Sequence, residues 1–250
     1  MPQRLYLPPD HIIPPHVALP DDVAHYLRHV LRMRLGDEFV AFDGSGAEYR
    51  VALGVEEGQA TGEIIERLPD RPARRLRLTL YQGLPKGKKL PLIIQKITEL
   101  GAARLVPVQT ARATVRLEGR EAEAKRWRWQ KIADEAAEQS HGVQPLEIAP
   151  VVTWAEALAD WRASEGPGLM PDETLAGEPG HGLREAVASL GHPDALSVFI
   201  GPEGGLSPEE AAAGREAGLR PISLGPRILR TETAAIVVCA LLLYEAGDLG

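Results

Sequence analysis

"FIGPEGGLSPEE", residues 199–210, places three glycines, a proline and a glutamate at the end of the apolar run "ALSVFI". That run reads as a strand. Ser207, Pro208 and Glu210 read as a helix start, with a serine N-cap, a proline at the first helical position and a glutamate closing a capping box. Gly201, Gly204 and Gly205 therefore lie at the carboxyl end of a strand, where open α/β sheets keep their ligand crevice. Glycine there costs conformational entropy unless the main chain is approached closely or φ is positive. The familiar glycine motifs do not fit. No Lys-Ser or Lys-Thr pair follows, residues 201–206 read GPEGGL rather than G-x-G-x-x-G, and G-x-S-x-G is absent. By itself the loop fits a tight turn as well as it fits a ligand site.

"SLGPRILRTETAAIVV", residues 223–238, repeats the grammar: a short strand, Gly-Pro, then a helix. Thr231 or Thr233 suits the cap of that helix. Arg230 and Glu232 fit no cap, and a cation beside a carboxylate at the mouth of a parallel sheet is a candidate reaction pair. Two such loops form facing walls of one crevice, lined by backbone amides and carbonyls that can read a nucleoside edge.

Outward from these loops, strands alternate with helices. "RLRLTLYQ" (75–82), "ARLVPVQ" (103–109), "LEIAP" (146–150), "GLMP" (168–171), "ALSVFI" (195–200) and "PISLG" (221–225) read as strands. Between them "KLPLIIQKITELG", "REAEAKRWRWQKIADEAAEQSHG", "TWAEALADW", "LREAVASLG", "SPEEAAAGREAG" and "TAAIVVCALLLYEAG" read as helices. This alternation predicts a largely parallel sheet covered on both faces. Residues 1 to about 70 differ. "DDVAHYLRHVLRM" reads as a helix, "EFVAF", "AEYRVALGV" and "TGEIIERL" as strands, and "DGSG" (43–46) as a turn, which suggests a small barrel. The Pro/Arg-rich "PDRPARR" (69–75) marks the boundary, giving domains 1–70 and 74–250.

Composition is that of a soluble protein, with no apolar run of 18 residues and no signal-peptide core in "MPQRLYLPPDH"; a cytoplasmic location is expected. Cys239, the single cysteine, lies in an apolar helix and reads as a core residue. The net charge of −7 is unevenly spread: residues 71–131 hold 16 basic and 4 acidic residues, while the flanks are acidic. A basic block within an acidic chain points to a polyanion, and its arginine content suits phosphate and base stacking. His25 and His29 stand i, i+4 without a third ligand, so no metal is expected.

"IGPEGGLS", "LGPRILRTETAA", and "IIQKITELG" with "EQS" closely resemble the RsmE group of SPOUT-superfamily RNA methyltransferases, over nearly the whole chain. The chain departs from that pattern at His141-Gly142, where the family often has Gly-Arg, and at Leu90-Pro91-Leu92. The resemblance implies a SPOUT-type α/β domain with a trefoil knot, preceded by a small PUA-like β-barrel that binds RNA. It further implies a homodimer, S-adenosyl-L-methionine as cofactor, and 16S ribosomal RNA or the small ribosomal subunit as partner. The activity it implies is methylation of N3 of a uridine. By position, Met170, Gly201, Pro202, Glu203, Gly204, Leu224, Gly225, Ile228, Leu229 and Arg230 correspond to cofactor-binding residues. Arg4, Arg28, His29 and Arg32 correspond to RNA contacts, and Lys86 and Lys96 of the basic block join them.

N3 of uridine carries a proton at neutral pH, so the reaction needs donors for charge on the flanking carbonyls and a proton acceptor. Arg230 is the expected donor, and Glu232 or Glu203 the expected acceptor. A ribose-methylating relative, an RNA-binding assembly factor and a nucleotide hydrolase or kinase are the alternatives. The last lacks its phosphate loop, the second leaves the glycine loops unexplained, and the first differs only in the product atom.

Overall fold

The computed structural model describes residues 2–56, 59–70, 74–142, 144–164, 166–191 and 193–249. Arg71, Pro72 and Ala73 of the expected linker lie outside the described residues. The chain divides into two units, Met1–Ala73 with Ala137–Pro145, and Arg74–Ala136 with Leu146–Gly250. A single boundary near residue 70 does not contain the return of Ala137–Pro145 to the first unit.

The first unit is built from β1 (Gln3–Tyr6), β2 (Ile12–Ile13), β3 (His16–Ala18), α1 (Asp21–His25), β4 (Glu38–Phe42), β5 (Glu48–Glu56) and β6 (Gln59–Arg67). The strands form one sheet in the order β1-β4-β5-β6-β3-β2, parallel only between β1 and β4. It is an open half-barrel. Leu5, Leu7, Val17, Leu27, Phe39, Val51 and Leu53 fill it. "DGSG" turns as expected, with the Asp43 carboxylate accepting from the Ser45 N–H at 2.8 Å.

The long helix expected over residues 21–33 is shorter. After α1 the backbone passes into a π turn at Tyr26–Val30, where the Leu31 N–H donates to the Tyr26 carbonyl. The wider turn seats Leu27 in the core and leaves Arg28, His29 and Val30 outside. Arg32 then sits at φ +56°, a left-handed position that side chains other than glycine adopt at a cost.

The second unit comprises β7 (Arg77–Gly83), α2 (Lys89–Leu100), β8 (Arg104–Gln109), α3 (Gly119–Gln139), β9 (Glu147–Ile148), β10 (Val152–Thr153), α4 (Trp154–Ala163), β11 (Gly168–Pro171), α5 (Leu183–Leu190), β12 (Ala195–Ile200), α6 (Pro208–Ala217), β13 (Arg220–Ile222) and α7 (Thr231–Glu245). The last residues of α3 belong with the first unit. Its sheet runs β10-β8-β7-β12-β11-β13, with β9 also on β8, and every pairing is parallel. Alternate residues serve the two faces. Leu78 and Leu80 of β7 and Leu196, Val198 and Ile200 of β12 pack with α2, α3 and α7, while Tyr81 and Phe199 stack at 4.2 Å in a second core with Trp161 of α4 and Met170. Cys239 is enclosed in the first of these cores, and burial pushes its thiol up to about 12.

The departures from the family pattern have local explanations. Pro91 stands in the first turn of α2, where the missing N–H has no helical acceptor. At the end of α3 the Gly142 N–H closes back on Ala137, and His141, at φ +58°, takes the left-handed position where the resembling family has glycine.

Ser207 caps α6 as expected, and Glu210 does more than close the box. One carboxylate oxygen accepts from the Ser207 N–H at 2.9 Å, the other from the Ala111 N–H at 2.7 Å. This buried side chain joins the end of the glycine loop to the segment after β8. Glu210→Ala should destabilise the second unit by about 1–3 kcal/mol, measured as a lower urea midpoint at unchanged slope. An unchanged midpoint would show that the junction holds without it.

Candidate functional site

Because β12, β11 and β13 are parallel neighbours, their carboxyl ends bring three loops to one edge of the sheet. Between them lies a cavity of about 700 Å³. The glycine loop supplies Gly201, Pro202, Glu203 and Gly205, and the loop after β11 supplies Asp172, Glu173 and Thr174. The loop after β13 supplies Leu224, Gly225, Arg227, Ile228, Leu229 and Arg230. Met170, Ile200 and Ala234 add apolar surface, so main chain, aliphatic side chains and a few charges line one space.

The bare backbone of the first loop serves its own folding as well as the cavity. A Cβ on Gly201 would lie 2.9 Å from the Gly205 carbonyl carbon, and Gly205 itself has φ +68°. Gly204 faces Arg112, which itself lines the cavity. A side chain there would meet Arg112 at 3.3 Å, and the Arg112 guanidinium donates to the Gly204 carbonyl at 3.0 Å. Of the residues expected to touch a cofactor, Met170, Gly201, Pro202, Glu203, Leu224, Gly225, Ile228, Leu229 and Arg230 line the cavity, and Gly204 does not.

The two loops are fastened by a residue the sequence reading missed. Gln82, at the end of β7, is fully buried, and its amide donates to Thr231 Oγ1 at 3.0 Å and to the Gly83 carbonyl at 2.9 Å. Thr231 Oγ1 donates in turn to the Gly201 carbonyl at 2.7 Å. This corrects the expected cap. Thr231 lies inside α7, Arg230 is the N-cap residue without a side-chain cap bond, and the threonine hydroxyl is turned to the glycine loop. A "YQG" strand end carries no local signal for such a contact.

Lys89 was also missed. Its ammonium stands 2.8 Å from Glu203 Oε1 and 3.3 Å from Glu232 Oε2, so one cation joins the glycine loop to the start of α7. The Lys86 N–H adds bonds of 3.1 and 3.3 Å to both Glu203 oxygens. Partial burial pushes the Glu203 carboxyl up, but Lys89 and the backbone N–H groups outweigh it and hold the group below the usual range. The bond to Glu203 raises the Lys89 ammonium in turn. Glu232 Oε2 is enclosed without an aligned hydrogen-bond donor, its lysine contact being an ion pair alone. Arg230 is exposed, and among the described residues no side chain pairs with its guanidinium.

Comparison with known proteins fits this geometry. An RNA methyltransferase domain family matches residues 72–243, and an RNA methyltransferase PUA domain family matches residues 19–65. The ribosomal RNA small subunit methyltransferase E of Bacillus subtilis is 33% identical over 232 residues, covering 92% of this chain and 91% of that protein. The Neisseria gonorrhoeae enzyme of the same name, solved bound to S-adenosyl methionine, aligns with a TM-score of 0.83 at 32% identity over 98% of both chains. A Legionella pneumophila methyltransferase solved with the same cofactor aligns at 0.86 and 28% identity over 98% of both chains. The chain belongs to the ribosomal RNA small subunit methyltransferase E family. The family's two parts are both present, a PUA-type half-barrel and a parallel-sheet α/β RNA methyltransferase unit.

The expected RNA contacts fare unevenly. Arg28, His29, Arg32 and Lys86 are exposed, and the His25 and His29 rings lie tilted against each other at 4.6 Å. Lys96 is engaged one turn along with Glu99 at 2.8 Å. Arg4 is corrected. Its side chain is 6% exposed, pairs with buried Glu48 at 2.6 Å and lies 5.1 Å from the centre of the Phe42 ring, so it holds the half-barrel together. Its place at the start of the chain gave no hint of that burial. Arg4→Met should strand Glu48 and cost about 3–5 kcal/mol of stability in urea unfolding, whereas Arg28→Ala should stay within about 0.5 kcal/mol. Equal, small effects would return Arg4 to the surface set.

Proposed function

We propose that this protein transfers a methyl group from S-adenosyl-L-methionine to N3 of a uridine in 16S ribosomal RNA of the small ribosomal subunit. The observation that carries the proposal is Arg230, an exposed guanidinium without a side-chain partner among the described residues, at a cavity lined by main chain, aliphatic side chains, three carboxylates and the further cations Lys89, Arg112, Arg215 and Arg227. A cavity of about 700 Å³ is of the size that encloses a nucleoside-sized cofactor. The residues fit such a group. Met170, Leu224, Leu229 and Ala234 offer apolar contact for a base, and Asp172 and Glu173 offer acceptors for hydroxyls and an amine. When bound, the cofactor supplies an electrophilic methyl group.

The chain's own residues do the rest. Arg230 donates to a uracil carbonyl oxygen and stabilises the negative charge that grows as N3 gives up its proton. A carboxylate, Glu232 or Glu203, accepts that proton directly or through water. The fastened loops keep both groups in fixed relation to the cavity, so orientation is set before the RNA arrives. Arg28, His29, Arg32, Lys86 and Lys96 are the proposed RNA contacts, with residues 1–70 as an RNA-binding domain. A homodimer is supported by α2 and α7, which pack together and leave Leu92, Leu241 and Tyr244 outward at 42%, 45% and 63% exposure. A second copy would cover that apolar surface. Among the described residues no helix is long and apolar enough to cross a membrane, and the proposed RNA partner places the protein in the cytoplasm.

Two measurements test this reading. Gly201→Ala, which pushes the glycine loop apart, should weaken S-adenosylmethionine binding at least tenfold, about 1.4 kcal/mol, in calorimetry. Gly204→Ala, directed at Arg112, should change it far less; the reverse ranking would remove Gly201 from the site. Arg230→Ala should lower the single-turnover rate on small-subunit particles by roughly 10² to 10³ with little change in cofactor affinity, and nucleoside analysis should place the methyl on N3 of uridine. A methyl on a ribose oxygen would overturn the reaction assigned here.

A further inference from the structure

A tryptophan carries more apolar surface than other side chains and gains most from burial, yet one of the four in this chain stands in water. Trp129 and Trp161 are 7% exposed, whereas Trp127 is 60% exposed. It lies on α3, where Arg120, Ala124, Trp127 and Lys131 recur at i, i+4, i+7 and i+11 and so share one face. Trp129 and Ala133, on the other side of the helix, are packed in the core. The indole is held rather than loose. The Lys131 ammonium, one turn on, lies 4.2 Å from the ring centre, a cation–π contact that orders the side chain before any partner arrives. Arg120 and Arg128 stand exposed on the same helix without a side-chain partner among the described residues. Residues 112–131 hold seven basic and three acidic residues, so the surface around the indole attracts an anion.

The same segment begins at the cavity. Arg112 lines it, Arg116 is exposed four residues later, and Arg120 opens α3. The connection is fastened along its length: Arg112 donates to the Gly204 carbonyl, the Ala111 N–H donates to Glu210, and Leu117 is packed in the core. We infer that residues 112–131 form a track for single-stranded RNA, whose cations contact phosphates of the strand leaving the cavity while an unpaired base stacks on Trp127. This rests on the proposed RNA substrate. N3 lies on the pairing edge of uracil, so a uridine methylated there is unpaired, and its strand must run out of the cavity across the protein. Phosphate contacts alone would hold a duplex as well. An exposed indole favours a strand whose bases are unstacked, because only such a base presents its face to the ring. Continuity of the cations with the reaction cavity favours RNA over an acidic protein surface as the occupant.

The test titrates the full-length protein with a single-stranded uridine decamer and with an RNA duplex of the same length, following tryptophan emission. Stacking should quench the wild-type emission with the single strand and much less with the duplex. Trp127→Ala should lose that quenching and bind the single strand roughly tenfold or more weakly, with duplex affinity and urea midpoint unchanged. Trp127→Phe should keep most of the affinity. The Arg120→Gln/Arg128→Gln double variant should weaken both RNAs and flatten the single-strand salt dependence by roughly one to two units. On small-subunit particles Trp127→Ala should raise KM at unchanged kcat, because the contact is made alike before and during methyl transfer. A wild type that the decamer does not quench, or quenching that survives in Trp127→Ala, would overturn the inference. Equal losses for strand and duplex with a lowered urea midpoint would make Trp127 a structural residue. Wild-type RNA affinity in Trp127→Ala would give the face to a protein partner instead. A methyl found elsewhere than on N3 defeats the proposed reaction and leaves these binding results standing.

Discussion

The hydrogen-bond chain from Gln82 through Thr231 to the Gly201 carbonyl is what makes one site of two loops. Each loop leaves a different strand, and a third strand, β11, separates those strands in the sheet. Nothing in parallel pairing fixes how far apart the loops stand. A buried amide, a hydroxyl and a carbonyl at 3.0 and 2.7 Å do fix it, because breaking the chain would strand polar groups where water cannot replace them. Arg230 precedes Thr231 and Glu232 follows it, so both inherit their positions from that hydroxyl.

Charge is the second constraint, and it is distributed by purpose. Lys89 spans two carboxylates and neutralises part of the acidic wall. Arg215 reaches Asp172 at 3.5 Å on the other side. Arg227 and Arg230, both on the loop after β13, are left without a carboxylate partner among the described residues. A guanidinium held at a cavity but not paired there retains its full donor capacity for a ligand. The contrast between a spent lysine and an unspent arginine is more informative than the presence of either.

The sequence was readable where local chemistry decides the structure. Ser207-Pro208-Glu210 specified a helix start, "ALSVFI" and "RLRLTLYQ" specified central strands, and the two Gly-Pro loops specified the cavity, because capping, alternation and turn geometry act within a few residues. It was unreadable where a contact closes over a long separation. Arg4 finds Glu48, Gln82 finds Thr231, and Lys89 finds Glu203 and Glu232, each pair more than 40 positions apart. β2 and β3 were missed because two and three residues are too few to show an alternation. The π turn at Tyr26–Val30 was read as helix because its apolar spacing differs from an α-helix by one residue.

The basic block from 71 to 131 shows how composition and structure divide the same evidence. Arg104 is bound to Asp160 at 2.7 Å and Arg126 to the Ile148 carbonyl at 2.8 Å. Arg112 serves the glycine loop, Lys89 and Lys96 hold carboxylates, and Lys131 lies 4.2 Å over the Trp127 ring. Lys86, Lys88, Arg120 and Arg128 stand exposed without a side-chain partner among the described residues. Part of the positive charge is thus structural. An anion is met by the residue that has no partner, not by the segment that has the most charge, and only coordinates separate the two.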